Sequence, residues 1–427
     1  MQKIYPYSAI QIDMKWKYLL QIIPELISPS DRSAVQECLE EVILKKPQTE
    51  KLLTTLSVRT SWDLFLTAMD WPLGSEVIMT AVNIPEMVKI PRYHGLIPIP
   101  VEINFKELKA TAEDIEAKIT PLTKCIMVSY LFGCEYDITE IIKVAKKHNL
   151  MVIEDSAESF HGPQSTGHPD ADLSLYSFGT IKINTSYGGC LTIVRNNDAL
   201  YRKMKQIYET YPHTGNKLFV KKTVKNIFPL IGLNWKPLNK FGRYVLNQKL
   251  GIDHREMMVS LIRGFPDEDG FLEKFRKQIP VAMMAMLLIR LKAFNLAEFE
   301  KKTQNLRDAQ TMLVKGGVEV PGHETKNRNF WLYPFTTDEK ETMFNKLQEK
   351  GIDVYKRSTQ LKLVESPVGS KYEYPEKTKA FFEKLLYLPL HHEVPRQDLM
   401  EMAREVIEVA REINAVKNRN INKQSKL

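Results

Sequence analysis

A chain of 427 residues, 43% apolar and 9% aromatic, with a mean hydropathy of −0.29, can bury a large core and is long enough for two or three domains. Its longest unbroken apolar run, 279–289, is too short to span a bilayer. The first residues lack the apolar stretch and cleavage pattern of a secretion signal, so a cytoplasmic location is expected. The net charge of +8 would suit a nucleic-acid partner, but it is confined to one place. From Thr210 to Ile252 there is no Asp or Glu, yet Lys217, Lys221, Lys222, Lys225, Lys236, Lys240, Arg243 and Lys249 are present. Those eight equal the whole excess of Lys and Arg (60) over Asp and Glu (52), so the rest is neutral overall. No recognised nucleic-acid motif accompanies them, and nucleic acid is not expected as a partner.

Between about Thr60 and Asp198 the pattern alternates. Short apolar runs at 75–82, 96–103, 124–131, 150–155, 171–178 and 189–194 read as buried strands. Helical stretches separate them; in 137–149, Ile138, Ile141, Ile142 and Ala145 share a face, and Asp137 with Glu140 suggests a capping box. The rhythm predicts an α/β domain with a largely parallel sheet. The basic block at about 210–272 interrupts it, and Pro229, Gly232 and Pro237 should divide that block into two short helices. A helix is then expected from near Pro280 past Phe294. A smaller α/β pattern follows: strands at 329–335, 352–355 and 385–390, a helix over 338–351, and a last helix from Pro395 to about Ile413. Cys38, Cys125, Cys134 and Cys190 form no CxxC pair and read as free thiols, with no metal site expected.

Ligands of doubly wound sheets sit at the carboxyl ends of the strands. "MVIEDSAES" delivers Asp155 there, and "LSLYSFGTIK" delivers Ser177 and then Lys182. An acid and a lysine so placed could be a buried ion pair. They also match the needs of pyridoxal phosphate, whose aldehyde takes a lysine amine as a Schiff base and whose ring nitrogen takes a carboxylate. Its phosphate wants hydroxyls and a helix N-terminus, and Thr60 with Ser61 stands just ahead of the helical "WDLFLTAM".

"VIEDSAESF", "YSFGTIK" with Gly188-Gly189, "GSEVIMTAV", "ITPLTKCIMVSYLFG" and "LLYLPLHHEV" occur in the order found in the DegT/DnrJ/StrS aminotransferases, which the chain resembles from about Leu56 to Ile413 apart from the basic block. The resemblance implies a fold-type I pyridoxal-phosphate transferase: an N-terminal arm (1–50), a large cofactor-binding domain (51–295) carrying the basic insertion, a smaller C-terminal α/β domain (296–413) and a disordered basic tail (414–427). It implies Lys182 as the Schiff-base lysine, Asp155 as the ring-nitrogen partner, and Ser177, Thr60 and Ser61 as phosphate ligands. Ile84 replaces the usual aromatic that stacks on the ring. Glu158 replaces a glutamine and either faces the site or turns to solvent. Arg59 stands in place of a glycine, and Lys274 in place of an asparagine that a partner subunit aims at the phosphate. Gly179, Gly188 and Gly189 would let the backbone approach the ring.

The implied reaction moves an amino group from an amino acid, commonly L-glutamate, to a nucleotide-linked keto-sugar or related ketone, in polysaccharide, glycolipid or secondary-metabolite biosynthesis. A homodimer with a shared site is implied as well. The alternatives are a dehydratase or lyase of the same fold, which Glu158 would encourage, and a membrane-associated relative without turnover. For the basic block, 216–251, three readings stand: a surface insertion with outward lysines, peripheral contact with anionic membrane, and an anion-binding lid over the substrate.

Overall fold

The computed structural model describes residues 3–242, 270–356, 360–367, 369 and 371–424, with side chains described to residue 417. Helices α1 (Trp16–Gln21), α2 (Ile23–Ile27) and α3 (Arg32–Ile43) precede strand β1 (Glu50–Thr55) and helix α4 (Val58–Met69). Next come β2 (Glu76–Thr80), β3 (Val82–Asn83), α5 (Pro85–Tyr93), β4 (Ile97–Val101), α6 (Ala112–Glu116), β5 (Thr123–Ser129) and β6 (Cys134–Glu135). They lead into α7 (Thr139–Lys147), β7 (Met151–Asp155), β8 (Leu173–Ser177), β9 (Cys190–Arg195), α8 (Asp198–Glu209), α9 (Lys217–Asn234) and α10 (Lys236–Gly242). The C-terminal part holds α11 (Val281–Lys292), α12 (Leu296–Lys315), β10 (Asn327–Arg328), β11 (Tyr333–Thr336), α13 (Lys340–Glu349), β12 (Lys362–Leu363), α14 (Glu376–Lys384), β13 (Leu385–Leu388) and α15 (Arg396–Gln424).

A seven-stranded sheet forms the centre, in the order β1-β9-β8-β7-β5-β2-β4. β8, β7, β5, β2 and β4 are parallel, whereas β9 runs against both β8 and β1. β1 therefore points the same way as the parallel strands. The carboxyl ends of β1, β2, β5, β7 and β8 share one edge, and that edge positions the site. Helices cover both faces because the central strands β2 and β5 are apolar on both sides: Val77, Ile78, Met79, Cys125, Ile126, Met127 and Val128 are all buried. Among the described residues the four cysteines are free, three of them buried.

A second core, built from α12, α13, α15 and the antiparallel pair β11–β13, gathers Leu306, Leu313, Phe335, Leu347, Val354, Met402 and Val406. The first fifty residues are woven through the molecule: Tyr5 and Tyr7 pack in this C-terminal core, while Ile12, Tyr18 and Leu39 pack beside α11.

Several local expectations are corrected. α9 runs unbroken through Pro229 and Gly232, and the chain turns only at the extended Trp235. Tertiary burial of Phe219, Pro229, Leu230 and Leu233 holds the helix together despite the lost backbone bond. Arg243, Tyr244 and Lys249 lie outside the described residues. The helix after Pro280 stops at Lys292, and Asn295 caps a new one by accepting from the Glu298 N–H. Residues 352–355 form no strand, only a bridge from Tyr355 to Tyr387. Asp137 bonds Thr139, while Glu140 pairs with Lys143 instead of closing a capping box. α15 continues to Gln424, so the expected disordered tail is helical over most of its length; no Gly or Pro follows Pro395 to stop it.

Candidate active site

At the shared strand edge a cavity of 420 Å³ opens, within the ~300–1,000 Å³ range of small-ligand sites. Asp155, Glu158, Ser177, Lys182 and Ile84 all line it. The structure thus brings together residues from β7, β8 and the N-cap of α5.

Asp155 is buried, and its bonds are long. Oδ2 accepts from Asn83 Nδ2 and Ser129 Oγ at 3.4 Å each, and Oδ1 from the Ala157 N–H at 3.3 Å. Burial pushes its carboxyl above the ordinary value, outweighing the Ala157 N–H, Lys182, Asn83 and Ser129. A buried carboxylate so loosely satisfied has room for a closer proton donor.

Lys182 sits in the turn after β8, its N–H bonded to the Gly179 carbonyl. Nζ lies 3.3 Å from Glu158 Oε1 and 3.6 Å from the centroid of the Trp331 ring. Burial lowers the lysine pKa against the pull of Glu158 and Asp155, and burial raises the Glu158 pKa against the pull of Lys182 and the Phe132 N–H. Both shifts favour the neutral forms, and a neutral amine is what nucleophilic attack requires. Glu158 is therefore turned inward, its Oε2 held by the Phe132 N–H at 2.8 Å. Phe132 adopts a left-handed backbone, φ 52°, a strained choice for a bulky residue.

The same turn is clasped from the C-terminal half. Asn329 Nδ2 donates to the carbonyls of Glu158 and Phe160, and its Oδ1 accepts from the Trp331 N–H. Trp331 Nε1 donates to the Ile181 carbonyl, which sets the indole over Lys182. Residues 329–332 were expected in a strand; with Phe330 left-handed (φ 53°) they make this loop, and β11 begins only at Tyr333. Gly133 completes the clasp, for a Cβ there would lie 1.8 Å from Asn329 Oδ1 and its φ is +80°. Gly133→Ala is expected to cost about 2–4 kcal/mol of stability, from overpacking plus a left-handed alanine. Urea denaturation measures it, and an unchanged midpoint would refute the clasp.

The phosphate cup is arranged differently from the expectation. Ser61 is turned into the sheet, its Oγ 2.6 Å from both Thr55 Oγ1 and Thr192 Oγ1. Thr60 is fully buried and donates to the Phe275 carbonyl. Neither lines the cavity; Ser57, Val58 and Arg59, one turn earlier, do. Ser57 is the N-cap of α4, its side chain accepting from the Thr60 N–H. Thr60 is held away from the opening by the Phe275 carbonyl and Ser61 by Thr55 and Thr192, which leaves residues 57–59 to face it. Phe275 is held over α4 by the pair between the buried Asp63 and the half-buried Arg276, at 2.9 and 3.0 Å. Lys274 is exposed and does not line the cavity.

The glycines also differ from expectation. A Cβ at Gly179 would meet only ordinary contacts, whereas one at Gly188 would strike Met283 Sδ (2.7 Å) and Lys222 Nζ (3.0 Å). Trp331, Ser57, Asn83, Lys222 and Asn226 line the cavity without having been singled out from the sequence as site residues. Ser57 ahead of a helical run was a readable N-cap signal; Trp331 and Lys222 carried none that distinguishes them locally.

The architecture, a mostly parallel seven-stranded sheet with a smaller C-terminal part, is shared with solved structures. A solved neighbour, NtdA from Bacillus subtilis with bound cofactor PMP, superposes with a TM-score of 0.63 at 20% identity, over 92% of this chain and 82% of that one. Residues 34–236 match the DegT/DnrJ/EryC1/StrS aminotransferase family. GDP-perosamine synthase of Caulobacter vibrioides is 32% identical over 184 residues, 42% of this chain and 47% of that protein. GDP-perosamine synthase of Escherichia coli O157:H7 is 36% identical over 152 residues, 35% and 41% of the respective chains. The match thus spans under half the length of these relatives.

Proposed function

We propose that the chain is a pyridoxal-phosphate aminotransferase, moving an amino group from an amino acid, L-glutamate first among candidates, to a nucleotide-linked keto-sugar or related ketone. The observation that carries this is the convergence of Asp155 and a neutral-leaning Lys182 on one cavity at the strand edge. The relatives named GDP-perosamine synthase support the substrate class. Retention of both Lys182 and Asp155 speaks against a relative without turnover.

The residues present fit the cofactor. Lys182 would carry it covalently, Asp155 would hold the proton on its ring nitrogen, Ile84 would pack on the ring, and Ser177 with Ser57 at the α4 N-terminus would meet its phosphate. Thr60 and Ser61 would serve only by supporting that turn. When bound, pyridoxal phosphate supplies an aldehyde that receives the amino group and a ring that stores the electron pair of the broken Cα–H bond. Lys182 Nζ, once free, takes the proton from the donor's Cα. Glu158 would hold the ammonium so formed through the 3.3 Å contact, until Lys182 passes the proton to the cofactor carbon that receives the amino group. Trp331 closes that side against water. A second cavity, of 280 Å³, meets the first at Ile10, Ile181, Lys182 and Trp331; Lys15 and Lys17 along it suit a nucleotide diphosphate. The test incubates the holoenzyme with L-glutamate and a panel of nucleotide keto-sugars. Formation of 2-oxoglutarate is expected, and none with any acceptor would sink the proposal.

The division into a large domain (51–295) and a small one (296–413) is part of this reading, as the two separate cores suggest. A homodimer is proposed too, for which Trp16, Leu20, Ile23 and Ile27, exposed on α1 and α2, offer an apolar stripe. Light scattering distinguishes one chain mass from two. Free, mostly buried cysteines suit the reducing cytoplasm. Val220, Val224, Phe228, Trp235 and Phe241 are exposed on α9 and α10 among Lys221, Lys236 and Lys240, which supports peripheral contact with an anionic membrane surface. Flotation with anionic but not neutral vesicles, lost at high salt, is expected. No helix among the described residues is long and apolar enough to cross a membrane.

A further inference from the structure

Helix α9 does more than present lysines to solvent. Its buried residues Phe219, Leu230 and Leu233 pack in the core that also holds Ile279 and Met283, and this anchorage carries Lys222 inward to Gly188. Arg59, Lys222 and Lys225 line the same end of the 420 Å³ cavity as Ser57 and Gly188. Among the described residues no carboxylate pairs with Lys222. Its charged neighbours are Arg59 and Lys225, and burial, then these two cations, lowers its pKa to about 8. Arg59 pairs with Glu86 Oε1 at 3.7 Å. A buried ammonium such as Lys222, beside further cations and without a carboxylate of its own among the described residues, is costly unless an anion meets it. The opening of the 12-residue helix α4 lies at the same place, where first-turn N–H groups have no intrahelical partner.

We propose that Lys222, with Arg59 and Lys225, forms a cradle for a phosphate-ester dianion, supplied by the chain's own basic helix. Resting on the function proposed above, that dianion is the phosphate of the cofactor. The basic block is then, at Lys222 and Lys225, part of the site itself, which accounts for two of its eight charges by chemistry rather than by solubility. The Gly188 position is explained as well: any side chain there would displace the ammonium.

The test titrates cofactor-free wild type, Lys222→Gln and Lys222→Arg with four probes: pyridoxal 5′-phosphate, pyridoxal, inorganic phosphate and a nucleoside diphosphate. Calorimetry reads affinity and visible absorbance reads covalent attachment. Lys222→Gln is expected to weaken pyridoxal 5′-phosphate and inorganic phosphate about 10- to 100-fold, the worth of one charge-assisted hydrogen bond, and to leave pyridoxal unchanged. Lys222→Arg should restore most of the affinity. The ligand-free melting temperature of Lys222→Gln should match or exceed wild type, because a lysine held below its ordinary pKa disfavours the fold. Equal losses for pyridoxal and its phosphate, or no loss, would overturn the cradle. A loss confined to the nucleoside diphosphate would overturn its assignment to the cofactor. If wild type attaches neither pyridoxal form but still binds phosphate through Lys222, the cradle stands and the aminotransferase reading fails.

Discussion

Lys182→Ala is expected to bind pyridoxal phosphate without covalent attachment and to transfer amino groups at least ~10⁴-fold more slowly than wild type, as loss of a nucleophile that also moves the proton requires. Borohydride should fix the cofactor to wild type and not to the variant, and the yellow absorbance of wild type should be absent or shifted. A variant that still becomes covalently labelled would show that another amine does this work, and a colourless wild type supplied with cofactor would remove the assignment altogether. The substitution strands Glu158, whose Oε1 loses its partner at 3.3 Å while Oε2 keeps the Phe132 N–H. Leaving one buried charge without the other destabilises more than removing both. The double variant Lys182→Ala, Glu158→Gln is thus expected to melt higher than Lys182→Ala alone, which separates loss of chemistry from loss of fold.

Asp155→Asn should divide stability from activity. The buried carboxyl has a raised pKa, caused first by desolvation and only partly offset by the Ala157 N–H, Lys182, Asn83 and Ser129. An acid whose folded pKa lies above its unfolded value disfavours the fold once the pH exceeds the folded value, and has no effect below about pH 4, where both states are protonated. The ligand-free asparagine variant should therefore melt higher than wild type at neutral pH, with the advantage fading as the pH falls toward that limit. Transamination should drop by roughly 10²–10³-fold or more, because an amide cannot hold the proton on the ring nitrogen as a carboxylate does. Covalent attachment at Lys182 should survive. A variant with wild-type turnover would show that Asp155 is not the ring-nitrogen partner.

Much of the architecture was legible in the residues. Runs such as 124–131 and 150–155 are apolar on both faces and end in Ser129 and Asp155, because a strand covered by helices on each side has no solvent face to encode. β1 was not legible: "EKLLTT" is half polar, and only pairing with β9 buries Thr54 and Thr55. Pro229 read as a helix breaker because propensity is local, yet burial of α9 on the core outweighs it. Thr60 and Ser61 read as cup residues because the motif places them at a helix start. Which side of that start faces the opening depends on Thr55, Thr192 and Phe275, residues distant in the chain or on another strand.

The sequence by itself determined the alternation that builds a mostly parallel sheet, the placement of Asp155, Ser177 and Lys182 at strand ends, and the confinement of the positive charge to one segment. These are properties of short windows, since a strand's burial and its terminus depend on a handful of adjacent residues. The tertiary structure decided that Glu158 turns inward onto Lys182, that Trp331 covers the amine, that Ser57 rather than Ser61 faces the cavity, and that Lys222 reaches Gly188. Each of those joins residues far apart in the chain or selects one face of an element over another. Only long-range packing makes such a choice, because local propensity is indifferent to what lies across the cavity.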